Sequence, residues 1–212
     1  MRRVLFLTLV FFVSYINYSQ ADTAPATPTE YIVTIHKVEL YNSTTGSWVT
    51  VGEGDLTFDI ASANAGGVVG SYASGAKIPE GVYTRERTTV SMTFYITASG
   101  TVSGIDYYTG TGNTTLDDPA GLVVINANTT GPAVRGTAIL SQAALLGSGF
   151  TVTSDGNYFY HEGDLPSPIT VKKGLTKKFR IKFDVTNAVE FNDAGGGICY
   201  PESPTVTFEV VD

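Results

Sequence analysis

The feature that most constrains the fold is strict two-residue alternation in several separate stretches. In Asp55-Leu-Thr-Phe-Asp-Ile60 the apolar Leu56, Phe58 and Ile60 alternate with Asp55, Thr57 and Asp59. Lys178 to Val185 repeats the pattern, with Phe179, Ile181, Phe183 and Val185 set against Arg180, Lys182 and Asp184, and Pro204 to Val211 puts Val206, Phe208 and Val210 on one side. Successive side chains of a strand point to opposite faces, so each stretch predicts a half-buried strand. Helical spacing is confined to Gln142 to Leu146, barely a turn and a half and too short to stand alone. With 23 glycines and only 16% charged residues, the composition favours strands and turns over helices.

Tyr31 to Tyr41 is a run of β-branched and aromatic residues without Gly or Pro, and it predicts a long strand. Val33 and Ile35 fall on one parity and Val38 and Leu40 on the other, so a bulge near His36 and Lys37 is needed to bury both pairs. Asn42 to Gly46 is turn chemistry, and Trp48 to Val51 returns as the second arm of a hairpin. The Gly-rich 61–75 reads as a loop with a short strand at Val68-Val69. Lys77 to Gly81 turns into Val82 to Ile96, read as the longest strand, with Tyr83, Arg85, Arg87 and Thr89 opposite Val82, Thr84 and Thr88. Between residues 97 and 168 the alternation weakens, leaving short candidates at 121–125, 133–140 and 150–153. The expected fold is all-β: an antiparallel two-layer β-sandwich, one domain over residues 31–212, with 97–168 as an elaboration or insertion.

Tyr31 to Tyr41, Gly46-Ser-Trp48, Phe58-Asp-Ile60 and above all Ile78-Pro-Glu-Gly-Val-Tyr83 carry a resemblance. The chain resembles a family of exported bacterial domains of unknown function with a prealbumin-like (carbohydrate-binding-like) β-sandwich, over roughly 31–96 and more loosely 169–211. The Pro-x-Gly-x-Tyr turn also recurs in repeat domains of surface adhesins and in carboxypeptidase regulatory domains. Pro79 presets the turn, Gly81 supplies backbone freedom, and Tyr83 packs the end of the sandwich. The resemblance implies a prealbumin/immunoglobulin-like fold and carries no activity with it. Members of that family are often lipoproteins, whereas no cysteine stands at the expected cleavage site here.

Residues 1–21 read as an export signal: Arg2 and Arg3, an apolar run from Val4 to Val13 broken only by Thr8, and Ser19-Gln20-Ala21 with small residues at −3 and −1. A run of about ten residues is too short to cross a bilayer, so no membrane span is expected once the signal is removed. Asp22 to Glu30, with Pro25 and Pro28, reads as an extended tether. A secreted, periplasmic or cell-surface location follows. Loss of Arg2 and Arg3 leaves 11 basic against 20 acidic side chains, a net charge of −9, which argues against a nucleic-acid partner. The single cysteine, Cys199, has no internal partner; it is a buried small hydrophobe, an intermolecular link or a free thiol, and its Ile-Cys-Tyr strand context favours burial.

Among candidate chemistries, His36 sits mid-strand, and His161-Glu-Gly-Asp164 offers an imidazole and carboxylates but no second His or Cys at a metal spacing. No nucleophile elbow or Cys–His signature is present, which points away from an enzyme, and no cofactor is implied. Paired acids occur as Asp117-Asp118 and as Glu190 with Asp193; Asn113, Asp117 and Asp118 together offer hard oxygen ligands for calcium. Asn42, Asn113 and Asn128 begin glycosylation triplets. The runs Tyr107-Tyr108 and Tyr158-Phe159-Tyr160 each send at least one ring outward if extended. The expected function is a secreted, non-enzymatic binding or adhesion module in which Tyr107, Tyr108, Tyr158 and Tyr160 on exposed loops engage glycans or surface proteins. The alternative is a self-assembling subunit of an extracellular filament or surface layer, with the N-terminal arm adding a strand to a neighbour.

Overall fold

A computed structural model describes residues 21–62, 78–116, 121–146, 148–172 and 178–211, with backbone alone for 178–181 and 207–211. The signal, the Val68-Val69 strand, Asp117 and Asp118 lie outside the described residues. The strands are β1 Thr23–Ala26, β2 Glu30–Asn42, β3 Ser47–Asp59, β4 Gly81–Ser91, β5 Thr93–Thr97, β6 Ser99–Val102, β7 Ile105–Thr115, β8 Val123–Asn128, β9 Gly136–Ile139, β10 Thr151–Val152, β11 Tyr158–Val171, β12 Lys178–Asp184, β13 Val189–Asn192, β14 Ile198–Pro201 and β15 Thr205–Val211. Two short 3₁₀ turns, Ala143–Leu145 and Ala194–Gly196, are the helical elements among the described residues, so Gln142 to Leu146 shrinks to a single turn.

All pairing between these strands is antiparallel. Thirteen strands form one network, in the order β1-β13-β14-β8-β9-β5-β2-β4-β11-β10, with β3 added to β2, β7 to β8 and β6 to β7; β12 and β15 form a ladder of their own. The network becomes a sandwich because its central strand forks. One edge of β2 carries β3, while the other carries β5 at residues 30–32 and β4 at residues 35–42. What reads in the sequence as one strand, Val82 to Ile96, breaks at Met92, so that β4 leads to β11 and β5 leads to β9 and β8. Phe94 of β5 and Phe159 of β11, on the two arms, meet across the core with ring centres 6.3 Å apart.

The bulge forms where the sequence demands it: pairing slips between Ile35 and Lys37 on both edges of β2, and Val33, Ile35, Val38 and Leu40 are all buried. The Pro-Glu-Gly turn is locked by Tyr83, whose ring is fully buried and whose hydroxyl donates to the Pro79 carbonyl at 2.8 Å, as in a tyrosine corner. Asn42 closes the same turn. It is buried, accepts from the Thr44 amide at 2.9 Å, and lies so near Gly81 that a Cβ there would meet its amide nitrogen at 2.3 Å.

Several expectations change. Leu56, though paired with the buried Ile35, is 44% exposed, because among the described strands β3 has β2 as its one neighbour and lies at an edge; Phe58 is half-buried and Ile60 fully buried. Tyr83 does not share a face with Arg85 and Arg87, because the pairing of β2 with β4 slips between Tyr41 and Asn42 and turns Tyr83 inward. The 22–30 segment is not a plain tether: Thr23–Ala26 pairs with β13 and ends the sheet. Residues 97–168 supply β6 to β10 and most of β11 within the main network, and do not form a separate layer. Val206 is 44% exposed. Cys199 is fully buried with a free thiol, which burial pushes well above the usual range. No helix among the described residues is long and apolar enough to cross a membrane.

Candidate binding face

The pairing of β3, β2, β4 and β11 stacks their outward residues in rows. One row runs Trp48, Tyr41, Arg85, Asp164; the next Thr50, Glu39, Arg87, Glu162; the third Glu53, Lys37, Thr89, Tyr160. The β2 bulge adds a fourth group, because it puts His36 on the same outer face as Lys37. There His36 stacks on Tyr158 with ring centres 4.3 Å apart and sets Nδ1 2.8 Å from Asp55 Oδ1, while the Tyr158 hydroxyl donates to Asp55 Oδ2 at 3.1 Å. Burial, and then the hydrogen bond that it donates to the Asp55 carboxylate, holds the Tyr158 phenol above its ordinary range.

At the centre lies a strip of alternating rings and guanidiniums. The Arg87 guanidinium sits 4.4 Å from the Trp48 ring centre and 5.1 Å from that of Tyr160; Arg85 sits 5.5 Å from Trp48 and 5.8 Å from Tyr41. Carboxylates fix both arginines. Arg87 Nε donates to Glu39 Oε2 at 2.8 Å and Nη1 to Glu162 Oε1 at 3.4 Å, while Arg85 Nη2 donates to Glu162 Oε2 and its Nε lies 3.9 Å from Asp164. Lys37 Nζ reaches the second oxygen of Glu39 at 3.2 Å, so this carboxylate, only 6% exposed, is neutralised from two sides. Each cation–π contact contributes about 0.5–1 kcal/mol and each half-exposed ion pair no more than about 1 kcal/mol. The value of the array is therefore order: long side chains are held flat, in register, on a rigid sheet.

The four predicted tyrosines do not converge. Tyr158 and Tyr160 lie on this face, half-buried and within strand β11 instead of on a loop, with Phe159 between them turned into the core. Tyr107 is 5% exposed inside β7 and is not available to a ligand, because Gly197 approaches its ring so closely that a Cβ there would meet it at 2.6 Å. Tyr108 is half-buried on the other arm, where it lines an open groove of 220 Å³ with Ser99, Gly100, Thr101 and Asp106. Asn113 is exposed on β7 opposite Ile125. His161 meets Phe150 edge-on at 5.5 Å while Glu162 turns to the arginines on the opposite face, so the His-Glu-Gly-Asp sequence spreads its ligands instead of gathering them. Among the described residues no three His, Cys, Asp or Glu side chains are grouped to hold a metal.

Two further acids stand out. Burial raises the Glu190 carboxyl, and burial followed by the charge of Glu190 raises that of Glu202; neither takes part in an ion pair among the described residues. Asn42, the first of the three glycosylation triplets, is consumed by its turn and is 1% exposed.

Sequence reasoning missed Trp48, Tyr41, Glu39, Arg85 and Arg87. Their parity was visible, since 37, 39 and 41 alternate with buried neighbours, but the register that brings four distant strands together is not a local property. No protein-family model matches the chain, and no match was found among curated proteins or solved structures.

Proposed function

We propose that this protein is an exported, non-enzymatic binding module whose working surface is the outer face of β3, β2, β4 and β11. The observation that supports this reading is the Trp48–Arg87–Tyr160 strip: large rings and guanidiniums, half-exposed, are pre-ordered on a sheet. Pre-ordering lowers the entropy lost when a ligand docks, and Trp, Tyr and Arg are the side chains that carry most binding energy in interfaces. Aromatic strips of this kind suit recognition better than reaction, because their charges are paired with one another. The test is retention on glycan arrays and on surface fractions of candidate target cells. Wild type should be retained, and Trp48→Ala and Tyr160→Ala should weaken retention at least severalfold while Tyr108→Ala, on the other arm, leaves it unchanged. Equal retention of all four proteins would overturn the reading.

The second reading, a self-assembling surface subunit, draws on β1. This four-residue strand ends the sheet, touches β13 and β6, and is joined to β2 by Thr27 to Thr29 alone. A short edge strand at an expected mature N-terminus can pair with β13 of its own chain or of a neighbour. Thr23→Cys and Asn192→Cys, opposite one another in that pairing, separate the cases. When the two single variants are mixed, a disulfide between chains supports exchange, whereas a bond formed only within the double variant rejects it.

A further inference from the structure

We propose, resting on the binding-face reading, that the ligand is an uncharged glycan chain lying across the strands. The charges of the face argue for this first. Arg85, Arg87 and Lys37 are paired with Glu39, Glu162 and Asp164, and Glu53 and Asp55 add further negative charge, so an anionic polymer meets no unpaired cation and several carboxylates. A cationic ligand would have to approach two guanidiniums already stacked on the rings it needs.

The unused hydrogen-bonding capacity points the same way. Arg85 Nη1 and Arg87 Nη2 make no hydrogen bond among the described residues, while the carboxylate oxygens of Glu162 and Asp164 retain lone pairs at the half-exposed and exposed edge of the strip. Donor and acceptor therefore stand side by side along a surface of ring faces and weakly hydrated guanidinium planes. Vicinal hydroxyls both donate and accept, and the C–H face of a sugar ring is apolar; a purely cationic or purely anionic ligand uses only half of this pattern. The surface is a sheet face and not a pocket, and three inter-strand steps from β3 to β11 span roughly 14 Å, room for several sugar rings in a row.

Trp48 is the only tryptophan, so its emission reports on this strip alone. The full mature chain is titrated with hydroxyethyl cellulose, laminarin and mannan as neutral polymers, polygalacturonate as an anionic one and polylysine as a cationic one, each at low and high salt. The proposal expects a saturable change in Trp48 emission with at least one neutral glycan. Its midpoint should not move with salt, because no net charge is neutralised, and Tyr160→Ala should weaken it about tenfold. A response only to polygalacturonate or polylysine, with a midpoint that shifts with salt, overturns the uncharged ligand and leaves the binding face standing. No response to any polymer, with retention on protein-bearing surface fractions still dependent on Trp48, overturns the glycan and makes the partner a protein. No response together with no such retention overturns both the glycan and the face.

Discussion

Replacing Glu86 with glutamine keeps the shape of a core-facing side chain and removes its charge. Register seats Glu86 between Leu40 of β2 and Gly163 of β11, and it is 8% exposed. Its described partner is the Thr88 hydroxyl, which donates to Oε2 at 3.1 Å. Burial pushes the carboxyl up to about 7 from its ordinary 4.5, and the Thr88 hydrogen bond offsets only part of that rise. A raised acid means that between these two values the folded chain holds a proton that the unfolded chain has released. The contribution of Glu86 is therefore fully present below 4.5 and is lost as pH rises through 7. At about 1.4 kcal/mol per unit, the loss comes to about 3 kcal/mol. Glutamine does not titrate, so Glu86→Gln should be more stable than wild type by up to about 3 kcal/mol near pH 8, and the two should converge near about pH 4. Urea unfolding of both proteins across this range, followed by Trp48 fluorescence, gives the difference directly, and subtraction removes every other titrating group. A difference that stays flat with pH, or a wild type that gains on the variant as pH rises, would refute the reasoning.

Other expectations follow from single contacts. Tyr83→Phe removes the donor to the Pro79 carbonyl and should lower unfolding free energy by about 1 kcal/mol, seen as an earlier urea midpoint with an unchanged slope. Gly136→Ala would put a Cβ 2.3 Å from Ile125 Cγ2 and 2.7 Å from the Gly110 carbonyl, both in the packed arm around β8; the overpacking should cost about 1–3 kcal/mol or more in the same assay. Cys199, fully buried and with its thiol held protonated, should react with a disulfide reagent only as fast as the chain unfolds, and immediate modification in native buffer would place the thiol at the surface.

What could be read from the sequence was what local periodicity and local turns determine. The change of parity between Val33/Ile35 and Val38/Leu40 required a bulge, and the structure puts it at His36. The Pro79–Tyr83 turn was equally legible, because donor and acceptor are four residues apart. Alternation alone, however, does not say whether a strand is central or at an edge, and this is why Leu56 reads as core and stands 44% exposed. Nor does it distinguish one straight strand from two that diverge at Met92, a break on which the division of the sheet depends. Tyr107 and Tyr108 show the same limit: parity says that they point in opposite directions, but only the packing of Gly197 against Tyr107 decides which ring is buried. The binding face was the least legible part, since Trp48, Arg87 and Tyr160 come from three strands separated by long stretches of chain.

The central claim is that ligand docks on the Trp48–Arg87–Tyr160 strip, and the indole N–H of Trp48 tests it most directly. With one tryptophan in the chain, this group gives a single side-chain indole signal in a nitrogen–proton correlation spectrum. The account predicts that this signal moves progressively and saturates as ligand is added, in step with the binding isotherm. Binding that saturates while the Trp48 signal stays in place would contradict it and move the site off this face.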